Sequence, residues 1–142
     1  MKRTGEDVGA HLARVTPAAR RRDGQAMVDL LRELTGREPE VWSGGIVGFG
    51  SCHYRYPTGN EGDCPIVGFA PRKTATTIYL LDGVGAHRDA LAALGPHKTG
   101  VGCLYVSDLG KVDLDVLEGI VAASWRSVVD GDADYAEITV TG

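Results

Sequence analysis

Between Gly45 and Leu81 four strand-like runs follow one another with connections too short for a crossover, and nothing else in the chain constrains its fold as tightly. The runs are Ile46–Phe49, Cys52–Tyr56, Pro65–Ala70 and Thr76–Leu81. Thr58–Asp63 reads as a polar, Gly-rich hairpin connection, and a turn around Pro71-Arg72-Lys73 joins the last two runs. Parallel strands need a crossover of about a dozen residues or more, so these neighbours are expected to pair antiparallel. Strand alternation places Cys52, Tyr54 and Tyr56 on one face of the second run, and His53 and Arg55 on the other.

Helical patterns flank this region. Val8, Leu12 and Val15 fall at i, i+4 and i+7, which predicts a short amphipathic helix. Thr16-Pro17 offers an N-cap followed by a proline at the first helical position, and Met27, Leu30, Leu31 and Leu34 form an apolar stripe. Gly36 suits the left-handed residue that ends helices, so the spacing predicts a helix over Thr16–Thr35. Asp113 caps a second long helix reaching Val129, with Leu114, Leu117, Val121 and Val128 as its stripe. Leu91 and Leu94 sit on a short helix closed by Gly95-Pro96, Cys103–Val106 makes a further strand, and Ile138–Val140 an edge strand. With no repeat or linker, residues 1–142 are expected to form one α+β domain, an antiparallel sheet covered by N- and C-terminal helices. A chain of this length buries roughly 68–70% of its unfolded surface, enough for an ordinary core.

Charge argues against some partners. Fifteen Lys and Arg against nineteen Asp and Glu give a net charge of −4, whereas nucleic-acid binding calls for a basic excess. The one basic run, Arg20-Arg21-Arg22, is followed by Asp23 and reads as a solvated helix face. No stretch approaches the ~18 apolar residues of a membrane span, and no apolar segment follows Met1–Asp7 as a secretory signal would require. A cytoplasmic location without membrane association is expected. Cys52, Cys64 and Cys103 are odd in number and have no close spacing, so free thiols are expected, with no disulfide and no shared metal.

The familiar site motifs fail on their own requirements. In Gly45-Ile46-Val47-Gly48-Phe49-Gly50 the glycines are spaced three then two, the reverse of the dinucleotide fingerprint, and no helix follows. Close approach to another element explains them better. Around Lys98-Thr99 the P-loop glycines are replaced by His97 and Ala92. In Asp130-Gly131-Asp132-Ala133-Asp134 the calcium-loop glycine falls on Tyr135. There is no G-x-S-x-G elbow, and His11, His53, His87 and His97 have no ligand or triad spacing. Trp42 and Trp125 read as packing. No catalytic residue, cofactor or metal is therefore assigned. What survives is His53, Arg55, Lys73, Tyr79, Lys98 and Thr99, which would converge on one sheet face if the strands formed a single hairpin array. Cations and hydroxyls gathered in this way favour a carboxylate or phosphate ligand. The competing expectation is that they pair with Glu61, Asp63 and Asp82 and merely solvate the sheet.

The same segments carry a resemblance. Trp42, Gly45–Gly50, His53–Tyr56, Gly59–Asp63 and Val67–Lys73, with His97–Gly100, Cys103–Tyr105 and Val112–Leu117 further on, resemble the YdhG-like family of bacterial proteins of unknown function. The likeness runs from Val8 to Ser127, with Cys52 standing where the family pattern has an aromatic. It implies a small α+β domain with an antiparallel sheet covered by helices, and no established enzyme activity. For part of the family it also implies a frataxin-like iron-chaperone role, for which Glu118, Asp130, Asp132 and Asp134 would be the carboxylates. The leading expectation is a non-catalytic binding module for a small anionic ligand or a protein partner. An iron chaperone and an enzyme using Cys103 or His53 are the alternatives.

Overall fold

A computed structural model describes every residue from Met1 to Gly142. The chain is α+β. Helix α1, Val8–Ala13, starts at Asp7, whose carboxylate accepts from the Ala10 amide at 2.8 Å. Helix α2 spans Ala18–Thr35 and ends at Gly36 with φ 67°. Its start departs from expectation: Pro17 occupies the cap position without a side-chain hydrogen bond, and Thr16 lies outside the helix. Strands β1 (Glu40–Trp42), β2 (Ile46–Phe49), β3 (Cys52–Arg55), β4 (Glu61–Cys64), β5 (Val67–Pro71) and β6 (Thr76–Leu80) follow. The expected connection Thr58–Asp63 is thus half strand, because β4 begins at Glu61. After a 3₁₀ turn at Val84–His87 come α3 (Arg88–Ala92), β7 (Lys98–Thr99) and β8 (Cys103–Val106). Helix α4 covers Leu114–Val129, with the Asp113 carboxylate accepting from the amides of Asp115 and Val116. Strand β9, Glu137–Val140, closes the chain. No helix is long and apolar enough to cross a membrane.

The strands form two sheets. Six make the order β1-β2-β5-β6-β8-β7, and three make β4-β3-β9, with every pairing antiparallel. Strands β2 and β5 pair directly, so the β3–β4 hairpin between them leaves the large sheet and finds its third strand at the C-terminus. On the large sheet Val47, Phe49, Val67, Phe69, Ile78, Leu80, Leu104 and Val106 point inward and are buried. They join Met27, Val28 and Leu31 of α2 and Leu117, Ile120 and Val121 of α4 in one core. Full burial of such side chains contributes about 1.5–3 kcal/mol each.

One part of the basic run is not a solvated face. Arg20 is buried, its Nη1 lies 3.1 Å from Asp23 Oδ2, and its Nη2 donates to the Ser107 carbonyl. Asp23 Oδ2 also accepts from the Leu109 amide at 3.2 Å. Arg21 and Arg22 remain exposed, as expected of the run. The pair fastens α2 to the segment between β8 and α4. Asp23→Ala should lower unfolding free energy by about 3–5 kcal/mol, since it leaves a buried guanidinium uncompensated. Removing both charges with Arg20→Met and Asp23→Leu should recover most of that loss. Urea denaturation of the two variants checks this; equal stability of the single and double variants would contradict it.

Candidate functional site

The outer face of the large sheet is built from two cross-strand rows. Gly48, Gly68, Tyr79 and Cys103 make one, and Ala70, Thr77, Tyr105 and Lys98 the other. At Gly48 there is no room for a side chain: a Cβ would sit 2.4 Å from Pro65 Cβ and 2.7 Å from Trp42 Nε1. That contact lets the returning arm of the β3–β4 hairpin lie against the sheet. Beside it opens a mostly apolar pocket of about 310 Å³. Ile46, Tyr79 and Cys103 form its sheet wall, and Tyr56, Cys64 and Pro65 its hairpin wall. Arg72, exposed in the β5–β6 turn, donates from Nη2 to the Tyr79 hydroxyl at 3.3 Å. A guanidinium therefore stands within hydrogen-bond distance of a phenol that lines the pocket.

A larger hollow of about 570 Å³ lies between α1, α2 and β1 and carries Glu6, Asp7, Glu38 and Glu40. Its acids are already engaged. Glu6 pairs with Arg14, Asp7 caps α1, Glu38 pairs with Arg32 at 3.0 Å and Glu40 with Arg3 at 2.8 Å. It has size but few free polar groups, so the smaller pocket is the better candidate.

The sequence-derived residues do not all meet there. His53 and Arg55 stand on the outer face of the three-stranded sheet. His53 Nδ1 lies 2.9 Å from Asp63 Oδ1 and its Nε2 3.4 Å from Glu61 Oε1, while Arg55 Nε lies 3.9 Å from Glu61 Oε2. The register adds Glu137 opposite Arg55, so His53 and Arg55 face three acids and no net positive site forms. The hydrogen bond with Asp63 raises the His53 pKa. This is the ion-paired arrangement weighed against ligand binding, except that Asp82 takes no part in it. The expected single hairpin array is absent because β2 pairs with β5 and excludes β3 and β4. Tyr79 and Lys98 do share the outer face of the large sheet, whereas Thr99 pairs with Leu104 in the row of opposite orientation. Lys73 is exposed in the β5–β6 turn. Arg72 is the residue that sequence reasoning passed over; the turn was visible, but nothing in it says which of two adjacent cations folds back onto Tyr79.

Asp82 anchors a second polar cluster. Ser124 Oγ donates to its Oδ1 at 2.8 Å, and His87 Nε2 lies 2.9 Å from its Oδ2, with all three largely buried. Serine and histidine both bond to the carboxylate rather than to each other, so this is not a nucleophile–base relay. It ties the segment after β6 to α4. Burial would raise the Asp82 pKa, but the hydrogen bonds from His87 and Ser124 outweigh it and hold the carboxyl below its ordinary value. Cys103 lines the pocket and His53 faces solvent on the other sheet, so the two are not a nucleophile–base pair. No group of three or more His, Cys, Asp or Glu side chains gathers as metal ligands, and Glu118, Asp130, Asp132 and Asp134 make no such cluster. No protein-family profile, curated protein or solved structure matches the chain.

A depressed carboxyl stabilises the fold above its unfolded pKa, and that stabilisation is lost as pH falls through the folded value. The Asp82 contribution is therefore intact above about pH 4 and declines below it. Asp82→Asn should be less stable at pH 7 by about 1–3 kcal/mol. It should also lose less of its melting temperature between pH 5 and 3, a range set by the ~3.9 of a free aspartate. Parallel melting curves for the two proteins across that range would refute the assignment.

Proposed function

We propose that this protein is a cytoplasmic, non-catalytic binding module for a small anionic ligand, taken with its apolar part into the pocket between the two sheets. The observation that carries this reading is the juxtaposition of an apolar pocket of about 310 Å³ with the Arg72 guanidinium held at Tyr79. Ligand pockets run from about 300 to 1,000 Å³, so this one suits a small molecule and not a partner helix. A guanidinium presents a planar fork matched to carboxylate or phosphate, which supports an anionic head group. Lys98, on the same outer face, adds positive potential at the far edge. The resemblance to a YdhG-like family, for which no enzyme activity is established, points the same way. The site is thereby moved from Arg55 to Arg72, with Tyr79 retained from the sequence-derived set.

Octanoate and octanol, titrated by calorimetry, provide the test because they share a chain and differ in charge. Octanoate should bind, and Arg72→Ala should weaken it roughly ten- to hundredfold, the equivalent of about 1.5–3 kcal/mol for a charged hydrogen bond. Octanol affinity should be unchanged by Arg72→Ala, and Cys103→Phe, which fills the pocket from its β8 wall, should abolish binding of both. Absence of octanoate binding, or binding indifferent to both substitutions, would overturn the reading.

A further inference from the structure

The register of the small sheet sets Cys52 directly opposite Cys64 on adjacent antiparallel strands, with the two Sγ atoms 3.6 Å apart. The twelve-residue separation concealed a close pair, because only the hairpin register brings the two together. Opposed residues on antiparallel strands have Cα atoms about 4.5 or 5.5 Å apart according to pair type, and both values fall within the 4.4–6.8 Å range of disulfides. Closing a bond of ~2.05 Å asks for about 1.5 Å of sulfur movement and no rearrangement of strands. The two thiols differ in access. Cys52 is fully buried at 0% exposure, whereas Cys64 is 8% exposed and forms part of the pocket wall.

We infer that Cys52 and Cys64 are a redox-active dithiol that exchanges with small disulfides of the oxidised-glutathione class, with Cys64 as the attacking and Cys52 as the resolving thiol. The Cys64 thiolate attacks one sulfur of the small disulfide, forming a mixed disulfide and releasing one small thiolate, which takes up a proton equivalent to the one Cys64 gave up. Cys52 then loses its proton and attacks the Cys64 sulfur, expelling the second small thiolate, which is protonated in turn. Two protein thiols and one small disulfide become one intrachain disulfide and two small thiols, so two electrons pass from the protein to the small molecule. The hydrogen bond between the two thiols supports this order, since it lowers the pKa of Cys64 and raises that of Cys52. Cys103 lines the same pocket from the sheet wall and is opposite Tyr79 rather than either cysteine, which makes it the internal control. The inference stands apart from ligand binding: octanoate binding without oxidation, or oxidation without octanoate binding, separates the two.

The test treats the whole native protein with oxidised glutathione, quenches with acid, and counts thiols in denaturant with Ellman's reagent alongside intact mass and peptide mapping. The three free thiols should fall to one, with loss of two hydrogens in mass, a crosslink between the Cys52 and Cys64 peptides, and reversal by dithiothreitol. Cys103→Ala should still form that crosslink, and Cys52→Ser should stop at a glutathione adduct on Cys64. The wild-type readout needs no variant, so a substitution that fails to fold leaves the test intact. Three thiols surviving under native conditions, or a lasting adduct on wild-type Cys64 or Cys103 without closure, would overturn the proposal.

Discussion

The architecture depends on Gly48 having no side chain. Pro65 and the Trp42 indole occupy the space above it, at 2.4 and 2.7 Å from where a Cβ would stand, so even a methyl group would force the two sheets apart. Trp42, Ile46 and Ala70 form a small buried cluster on the outer face of the large sheet. Trp42 is 1% exposed and its Nε1 lacks a partner, an arrangement that costs about 1–3 kcal/mol. The Arg3 guanidinium, 4.8 Å from the ring centroid, offsets part of this through its cation–π attraction. The pocket is the space left where the hairpin ceases to cover the sheet. Its shape follows from a glycine that the pocket does not contain.

The buried polar groups fasten segments that the apolar core cannot. Arg20 and Asp23 reach from α2 to Ser107 and Leu109, on the connection that leads into α4. Asp82 reaches from the end of β6 to Ser124 on α4, and His87 closes over it. Both clusters satisfy backbone or side-chain donors in places where a loop passes over the core, and breaking either strands a charge in poorly solvated surroundings. Their composition, Arg with Asp and Ser with Asp and His, invites catalytic readings. The geometry directs every contact inward to scaffold.

Local pattern made the helices and most strands legible, because caps, stripes and period-two alternation are written within a few residues of one another. Asp113 and Gly36 are where they were expected and β9 appears as read, whereas α1 and α3 form but stop short of Val15 and Leu94. What the sequence concealed is long-range. The third strand of the small sheet, β9, joins β3 from more than eighty positions away, and no turn residue announces that pairing. Without it, four successive strands suggest one array, and Arg55 is then placed beside Tyr79. Arg20 was illegible for a related reason: its letters match those of Arg21 and Arg22, and only the packing of α2 against Ser107 sets it apart. Of the candidate site, Tyr79 and the outer face were readable from alternation, whereas Arg72 and the hairpin wall required the fold.

The small sheet shows how one register can settle two faces at once. Alternation sends Cys52, Cys64 and Tyr54 inward, and His53, Arg55, Glu61 and Asp63 outward. A slip of one residue would exchange the sets, burying carboxylates against the core and exposing the cysteines, so the register is strongly specified by burial alone. The outward charges also guard β4, which is an edge strand: Glu61 and Asp63 make its free side a poor template for another chain. His53 and Arg55, two of the residues that suggested a ligand face, are thus explained by what a short, exposed hairpin requires. Their inward neighbours, two thiols in van der Waals reach beside a pocket, are explained by packing only in part, since packing asks for small apolar groups and not for sulfur on both strands.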